Sequence, residues 1–101
     1  MGEMGKTIIE CNFSIDENYG IVMGDEHFFR IMEEKALDRF DKLIYKDDLD
    51  NFKQFLVKDV HNYSVVVRIK DKDDEYRWYI IYNQGNILSK NGLKIYNLQM
   101  Q

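Results

Sequence analysis

The chain has no proline, a single cysteine and only two histidines in 101 residues. With no proline, no low-complexity tract and no internal repeat, nothing marks an internal linker. It reads as one domain, 1–101, with a modest core beginning near Thr7. The lone thiol, Cys11, cannot close an internal disulfide, which suits a reducing compartment, so the cytoplasm is the expected location. One cysteine plus a histidine also falls short of the four ligands of a structural zinc site. Apolar runs are only a few residues long, so no membrane span is expected, and the first residues lack the apolar stretch of a signal peptide. There is no basic excess: 14 Lys and Arg face 18 Asp and Glu, interspersed, for a net charge of −4. No basic stripe is available to track a phosphate backbone, so nucleic acid is not an expected partner.

What the chain does contain is apolar and aromatic alternation. Hydrophobic residues make up 45% of it and aromatics 14%, which is enough for a compact fold. The strongest local pattern is Val65 to Tyr82. Val65, Val67 and Ile69 alternate with Val66, Arg68 and Lys70. After the acidic turn 71–75, Tyr76, Trp78, Ile80 and Tyr82 alternate with Arg77, Tyr79 and Ile81. Period-two β-branched and aromatic residues around an Asp-rich turn predict a hairpin. Both of its faces are largely apolar, so each must be covered by something.

The remaining segments can be read in order. Ile9, Cys11, Phe13 and Ile15 form a half-buried strand, followed by a turn over 16–20 and a short second strand at Ile21–Met23. Asp25 can cap a helix whose apolar side is Phe28, Phe29, Ile31 and Met32. Residues 36–45 read as helical turns and loop with Leu37, Phe40, Leu43 and Ile44 facing inward. Asp47 is the expected cap of a helix over 48–58 with the stripe Leu49, Phe52, Phe55 and Leu56. After the hairpin, 83–92 reads as a polar connection closed by the Asn91-Gly92 turn, and 93–100 as a fifth strand. Strands, then helices, then strands define an α+β fold: one antiparallel sheet with helices on one face.

Little in the chain carries catalytic chemistry. A nucleophile needs a base within reach, and that base needs an orienting group. His27 lies beside Glu26 in an early helix and His61 in a loop. Ser14, Ser64 and Ser89 have no nucleophile-elbow context. The Asp71, Asp73, Asp74, Glu75 cluster lacks the glycine and terminal bidentate glutamate of a calcium loop and reads as a solvated hairpin tip, so no metal site is expected.

Three motifs, taken in order, resemble the PAS domain family, in the subtype with His-Pro-x-Asp and Asp-Gly-x-x-x-Trp signatures. The segment from Arg68 to Trp78 is similar to the family hairpin. Tyr45-Lys46-Asp47-Asp48-Leu49 stands about where the family carries His-Pro-x-Asp, and Asp25 to Met32 is similar to its early helix. Asp74 departs from the turn glycine, Asp25 from an asparagine, and Tyr45-Lys46 from His-Pro. The resemblance implies strand order 2-1-5-4-3, with helices between strands two and three and a pocket beneath them. Threading it places Phe13, Phe29, Phe52, Leu56, Val67, Ile69, Tyr79, Ile81, Asn97 and Gln99 around that pocket. Asn97 and Gln99 would be hydrogen-bonding handles for a small ligand, unless the bulky residues fill the space. It places Val66, Trp78, Ile80, Tyr82, Tyr96, Leu98 and Met100 on the outer sheet face as an interface, for a homodimer or a flanking helix.

The resemblance further implies a sensory or interaction domain, itself no enzyme, within a larger bacterial signalling protein whose output module is a diguanylate cyclase or a histidine kinase. Two other readings stand beside it: a ligand-free dimerisation module, and a small α+β enzyme using the same cavity. No cofactor is expected. The Gly-x-Asn-Cys-Arg-Phe-Leu-Gln motif of flavin photosensors is absent, and His61 is poorly spaced for a heme ligand. The purified protein should therefore be colourless. A visible absorption band travelling with the folded protein on gel filtration would overturn that expectation.

Overall fold

The computed structural model describes residues 10–101. The first strand, β1, spans Cys11–Asp16 and buries Cys11, Phe13 and Ile15 as the alternation requires; Ile9 lies outside the described residues. The Asp16 carboxylate accepts hydrogen bonds from the N–H groups of Asn18 and Gly20, at 2.8 and 3.0 Å, and so turns the chain into β2, Ile21–Gly24. Gly24 is needed for close approach, because a Cβ there would stand 2.6 Å from the Phe28 ring. Asp25 then caps α1, Glu26–Met32. Its Oδ1 accepts from the Phe28 N–H at 2.9 Å, and its Oδ2 accepts from the Asn12 N–H of β1 at 2.9 Å. The cap therefore also ties the helix to the sheet.

Phe28 and Met32, four residues apart, form the buried face of α1, whereas Phe29 is 45% exposed. A 3₁₀ turn at Glu33–Leu37 and a short α2, Phe40–Leu43, lead to α3, Lys46–Lys58. Phe40, Leu43 and Ile44 point inward as expected, but Leu37 is 88% exposed. A 3₁₀ turn winds with about three residues per turn instead of about 3.6, which breaks the phase that an α-helical stripe would have kept. The long helix starts at Lys46, two residues earlier than expected, with Tyr45 and not Asp47 at its cap position. Asp47 and Asp48 sit in its first turn, where the helix dipole favours acids, and the Tyr45 side chain makes no capping hydrogen bond.

The sheet has five antiparallel strands in the order β2-β1-β5-β4-β3, with β3 at Ser64–Lys70, β4 at Tyr76–Leu88 and β5 at Lys94–Met100. The helices lie between β2 and β3 in sequence, and the buried face of α3 meets β3. Asp74 in the tight turn has φ 63°, the left-handed conformation for which the family hairpin uses glycine.

Two expectations about the last strands do not hold. First, β4 does not end at Tyr82. It runs on to Leu88 through an irregularity between Asn83 and Asn86, where Gly85 takes φ 102°, and the turn comes only at 89–92. A bulge lets a polar, glycine-containing run remain in a sheet. Second, β5 has the opposite phase. Cys11, Met100, Ile81 and Val65 lie in one register row across the sheet, and Phe13 pairs with Leu98. Residues opposite one another share a face. Leu98 and Met100 therefore belong to the helix-facing core, where they are 1% and 0% exposed, and Tyr96, opposite Ile15, packs against the same core. Asn97 and Gln99, opposite Ser14 and Asn12, face outward. Tyr96, Leu98 and Met100 thus lie on the apolar side of the sheet, against the threaded assignment.

Phe52 is fully buried at the centre of the core, with its ring 5.5 Å from Phe40 and 6.0 Å from Phe55. Phe52→Ala should destabilise the fold by about 3–5 kcal/mol in urea unfolding, as expected for truncating a packed aromatic. A loss near zero would show that the α3 stripe is not packed this way.

Candidate functional site

The space between helices and sheet is occupied by a relay of aromatic rings. Phe28 stacks on Phe13 at 4.5 Å. Phe13 meets Phe40 at 5.0 Å, and the contacts continue through Phe52 and Phe55 to Tyr63, 6.1 Å from Phe55. Of the residues expected around a pocket, the structure brings Phe13, Phe52, Leu56, Val67, Ile69 and Ile81 together in this core. Tyr79 is half-buried and donates its hydroxyl to Asp71 at 3.1 Å at the hairpin tip. Burial, with the Asp71 charge beside it, raises the Tyr79 pKa well above the usual phenol range. Phe29, Asn97 and Gln99 do not join the core, for the reasons of helix phase and register given above. Asn97 instead accepts from the Ser14 hydroxyl at 2.8 Å on the outer face. Phe28, Phe40 and Met32 supply much of the interior that the threaded pocket omitted, although the α1 and α2 apolar patterns already pointed to them. Burial pushes the Cys11 thiol up to about 12, with Asp25 adding to the shift, so this cysteine is a core residue rather than a nucleophile.

Two polar anchors frame the core. At the start of α3, Asp48 accepts three hydrogen bonds from Arg68 of β3: from the backbone N–H at 2.9 Å, from Nε at 2.9 Å and from an Nη at 3.0 Å. The guanidinium lies 4.0 Å from the Tyr45 ring centroid and 4.7 Å from that of Trp78, and the Tyr45 N–H donates to the Arg68 carbonyl at 2.9 Å. The Arg68 guanidinium beside Asp48 holds its carboxyl below the usual range, with the Arg68 backbone N–H helping against the cost of burial. At the other end, Asp59 closes α3 in the left-handed conformation and accepts from the side-chain amides of Asn83 and Asn86, with the Lys94 ammonium 3.7 Å away. Asn83 is almost wholly buried, and its side-chain oxygen accepts from the Gly85 N–H at 2.7 Å. The end of the helix is thereby tied to the bulge of β4.

The outer sheet face divides in two. On β3 and β4, Val66, Trp78, Ile80 and Tyr82 form an apolar patch; Val66 is 53% and Trp78 61% exposed. These four of the expected interface residues are where the threaded resemblance put them, while Tyr96, Leu98 and Met100 have left the patch for the core. On β1 and β5 the same face is polar, with an open groove of about 260 Å³ bordered by Asn12, Ser14, Met23, Gln84 and Asn97. His27 and His61 are both exposed and stand apart from this face and from the core.

No protein-family model and no curated protein sequence matches the chain. Solved structures do. A PAS domain from a two-component sensor histidine kinase superposes with a TM-score of 0.72 at 10% identity, covering 91% of this chain and 83% of that one. A sensory box histidine kinase/response regulator from Burkholderia thailandensis E264 superposes with a TM-score of 0.63 at 17% identity, covering 91% and 75%. At these identities the likeness is one of fold. The chain has the PAS fold, with the strand order and helix placement described above.

Asp48 has a depressed folded-state pKa. Its stabilising contribution is therefore present above the unfolded value of about 3.9 and lost as pH falls through the folded value. Asp48→Ala leaves the Arg68 N–H without its acceptor and should cost about 1–3 kcal/mol near neutral pH. Chemical unfolding measured at several pH values should show the difference from the parent protein shrinking as Asp48 protonates in the parent. A gap that stays constant into strong acid would show that the Asp48 charge is not what Arg68 holds.

Proposed function

We propose that this chain is a sensory and interaction domain of a bacterial signal-transduction protein, with no catalysis of its own, that passes a change at its sheet to an output module. The observation that carries the reading is the patch of exposed Val66 and Trp78 with half-buried Ile80 and Tyr82 on the outer face of a PAS-fold sheet. Contiguous aromatic and aliphatic surface of this kind favours a partner, and aromatic residues dominate the energetics of such contacts. The partner is a second copy of the domain, docking through β3 and β4. A histidine kinase is the output module we favour over a diguanylate cyclase, because both similar solved structures carry histidine kinase in their names.

The ring-filled interior supports a domain that responds chiefly to its contacts, and a small ligand would have to displace rings that already pack on one another. Signal transfer runs through β5. This strand lies between β1 and β4, with Leu98 and Met100 in the core and Asn97 and Gln99 on the outer face, so a shift of either layer moves it. Any such transfer requires the partner or ligand to bind two arrangements of the sheet with different affinity.

Ile80→Asp tests the contact. It puts a charge where burial without a counter-ion is costly, on a side chain remote from the core. In sedimentation velocity the parent protein should be a dimer and the variant a monomer, with unchanged circular dichroism. A monomeric parent, or a variant that remains dimeric, would refute the outer-face dimer.

A further inference from the structure

We propose that the open half of the β3 edge, together with the α3 face beside it, binds an extended acidic peptide that adds to the sheet as a sixth strand. The backbone phase carries the argument. Strand β3 is the last in the sheet, so alternate residues turn their N–H and C=O groups away from β4. At Arg68 these groups are occupied, by Asp48 and by the Tyr45 N–H. Two residues earlier they are open among the described residues. Ile80 of β4 exchanges both of its backbone bonds with Gln101, at 3.0 and 2.9 Å, so Val66, directly opposite Ile80, presents its own pair to the edge; Ser64 has the same phase.

Edge strands are normally guarded by charge, proline, a bulge or a covering element. Here the cover formed by Tyr45 and Asp48 stops at Arg68, and Ser64, Val65 and Val66 carry none of the other guards. In place of a guard there is a groove of about 400 Å³ between α3 and the strand edge. Asn51, Gln54, Phe55 and Lys58 line it on the helix side, and Tyr63 and the strand line it on the other. An extended segment laid there would bond to the Ser64 and Val66 backbone. Its alternate side chains would meet Gln54 and Lys58 on one side and the Trp78 patch on the other.

Charge selects the chemistry. Among the described residues no acidic side chain lines this groove, and its one basic residue is Lys58. Among the described residues Lys58 enters no ion pair; its ammonium rests 5.3 Å from the Tyr63 ring centroid. A carboxylate on the incoming strand is the complement it lacks. A second copy of this domain is a poorer fit, because its β3 is flanked by its own α3 and could not enter a groove between strand and helix.

The test uses a short synthetic strand of alternating valine and threonine carrying one glutamate, titrated into isotope-labelled protein and followed by amide chemical shifts and hydrogen exchange. The Ser64 and Val66 amides should shift, and the Val66 N–H should become protected. N-methylating the probe on its pairing edge should weaken binding about ten-fold, while N-methylation on the other edge should not. Lys58→Glu should weaken the glutamate probe about three-fold or more and favour its lysine counterpart. Shifts centred on Trp78 and Ile80 instead, insensitivity to the methylated edge, or no binding would overturn the proposal. So would a dimer that persists in Ile80→Asp but is abolished by Val66→Pro, since a second copy would then hold the edge. In Ile80→Asp, which should lack the outer-face dimer, the probe should still protect the Val66 N–H, which separates this site from that dimer.

Discussion

The seating of α3 on the sheet depends on the Asp48–Arg68 contact. Three hydrogen bonds to one carboxylate join the first turn of the longest helix to the middle of an edge strand twenty residues later. An edge strand has one side unpaired, and a helix start has N–H groups and a dipole that favour an acid. One carboxylate answers both needs. It accepts the outward N–H of Arg68 and stands in the first turn of α3, while the guanidinium fork binds both of its oxygens. Stacking between Tyr45 and Trp78 fixes the guanidinium further, so the pair is geometrically specific in a way that a lysine could not reproduce.

Asp59 does the corresponding job at the other end of the helix. It terminates α3 in a left-handed turn and gathers Asn83, Asn86 and Lys94. The helix is thus held to β3 at its start and to the β4 bulge and β5 at its end. Between the two anchors the rings of Phe40, Phe52 and Phe55 pack on one another.

The sheet has two unlike faces, and its outer one is itself split. Val66, Trp78, Ile80 and Tyr82 offer apolar surface on one half, while Ser14 and Asn97 pair with each other on the other half. A partner covering the whole face would meet both chemistries, so orientation as well as affinity is encoded in it. The open stretch of β3 borders the apolar half, and Val66 contributes to both through different groups: its side chain to the patch and its backbone to the edge.

Much of this was legible in residue order. Alternation marked the two strands of the hairpin, the resemblance put Val67, Ile69 and Ile81 on one face and Val66, Trp78 and Ile80 on the other, and the Phe52 stripe marked the buried side of α3, because local periodicity reports directly which side of an element meets apolar surroundings. The Asp25 cap was legible for the same local reason. What only the tertiary structure decided were relations between distant segments. The phase of β5 depends on Phe13 lying opposite Leu98, a pairing that no pattern within 93–100 contains. Threading a family template there misplaced Tyr96, Leu98, Met100, Asn97 and Gln99. The continuation of β4 past Asn83 depends on Asp59 being there to receive the asparagine amides. The Asp48–Arg68 pair joins two motifs that each looked local. Periodicity is a property of neighbours in the chain, whereas register, bulges and ion pairs are set by neighbours in space.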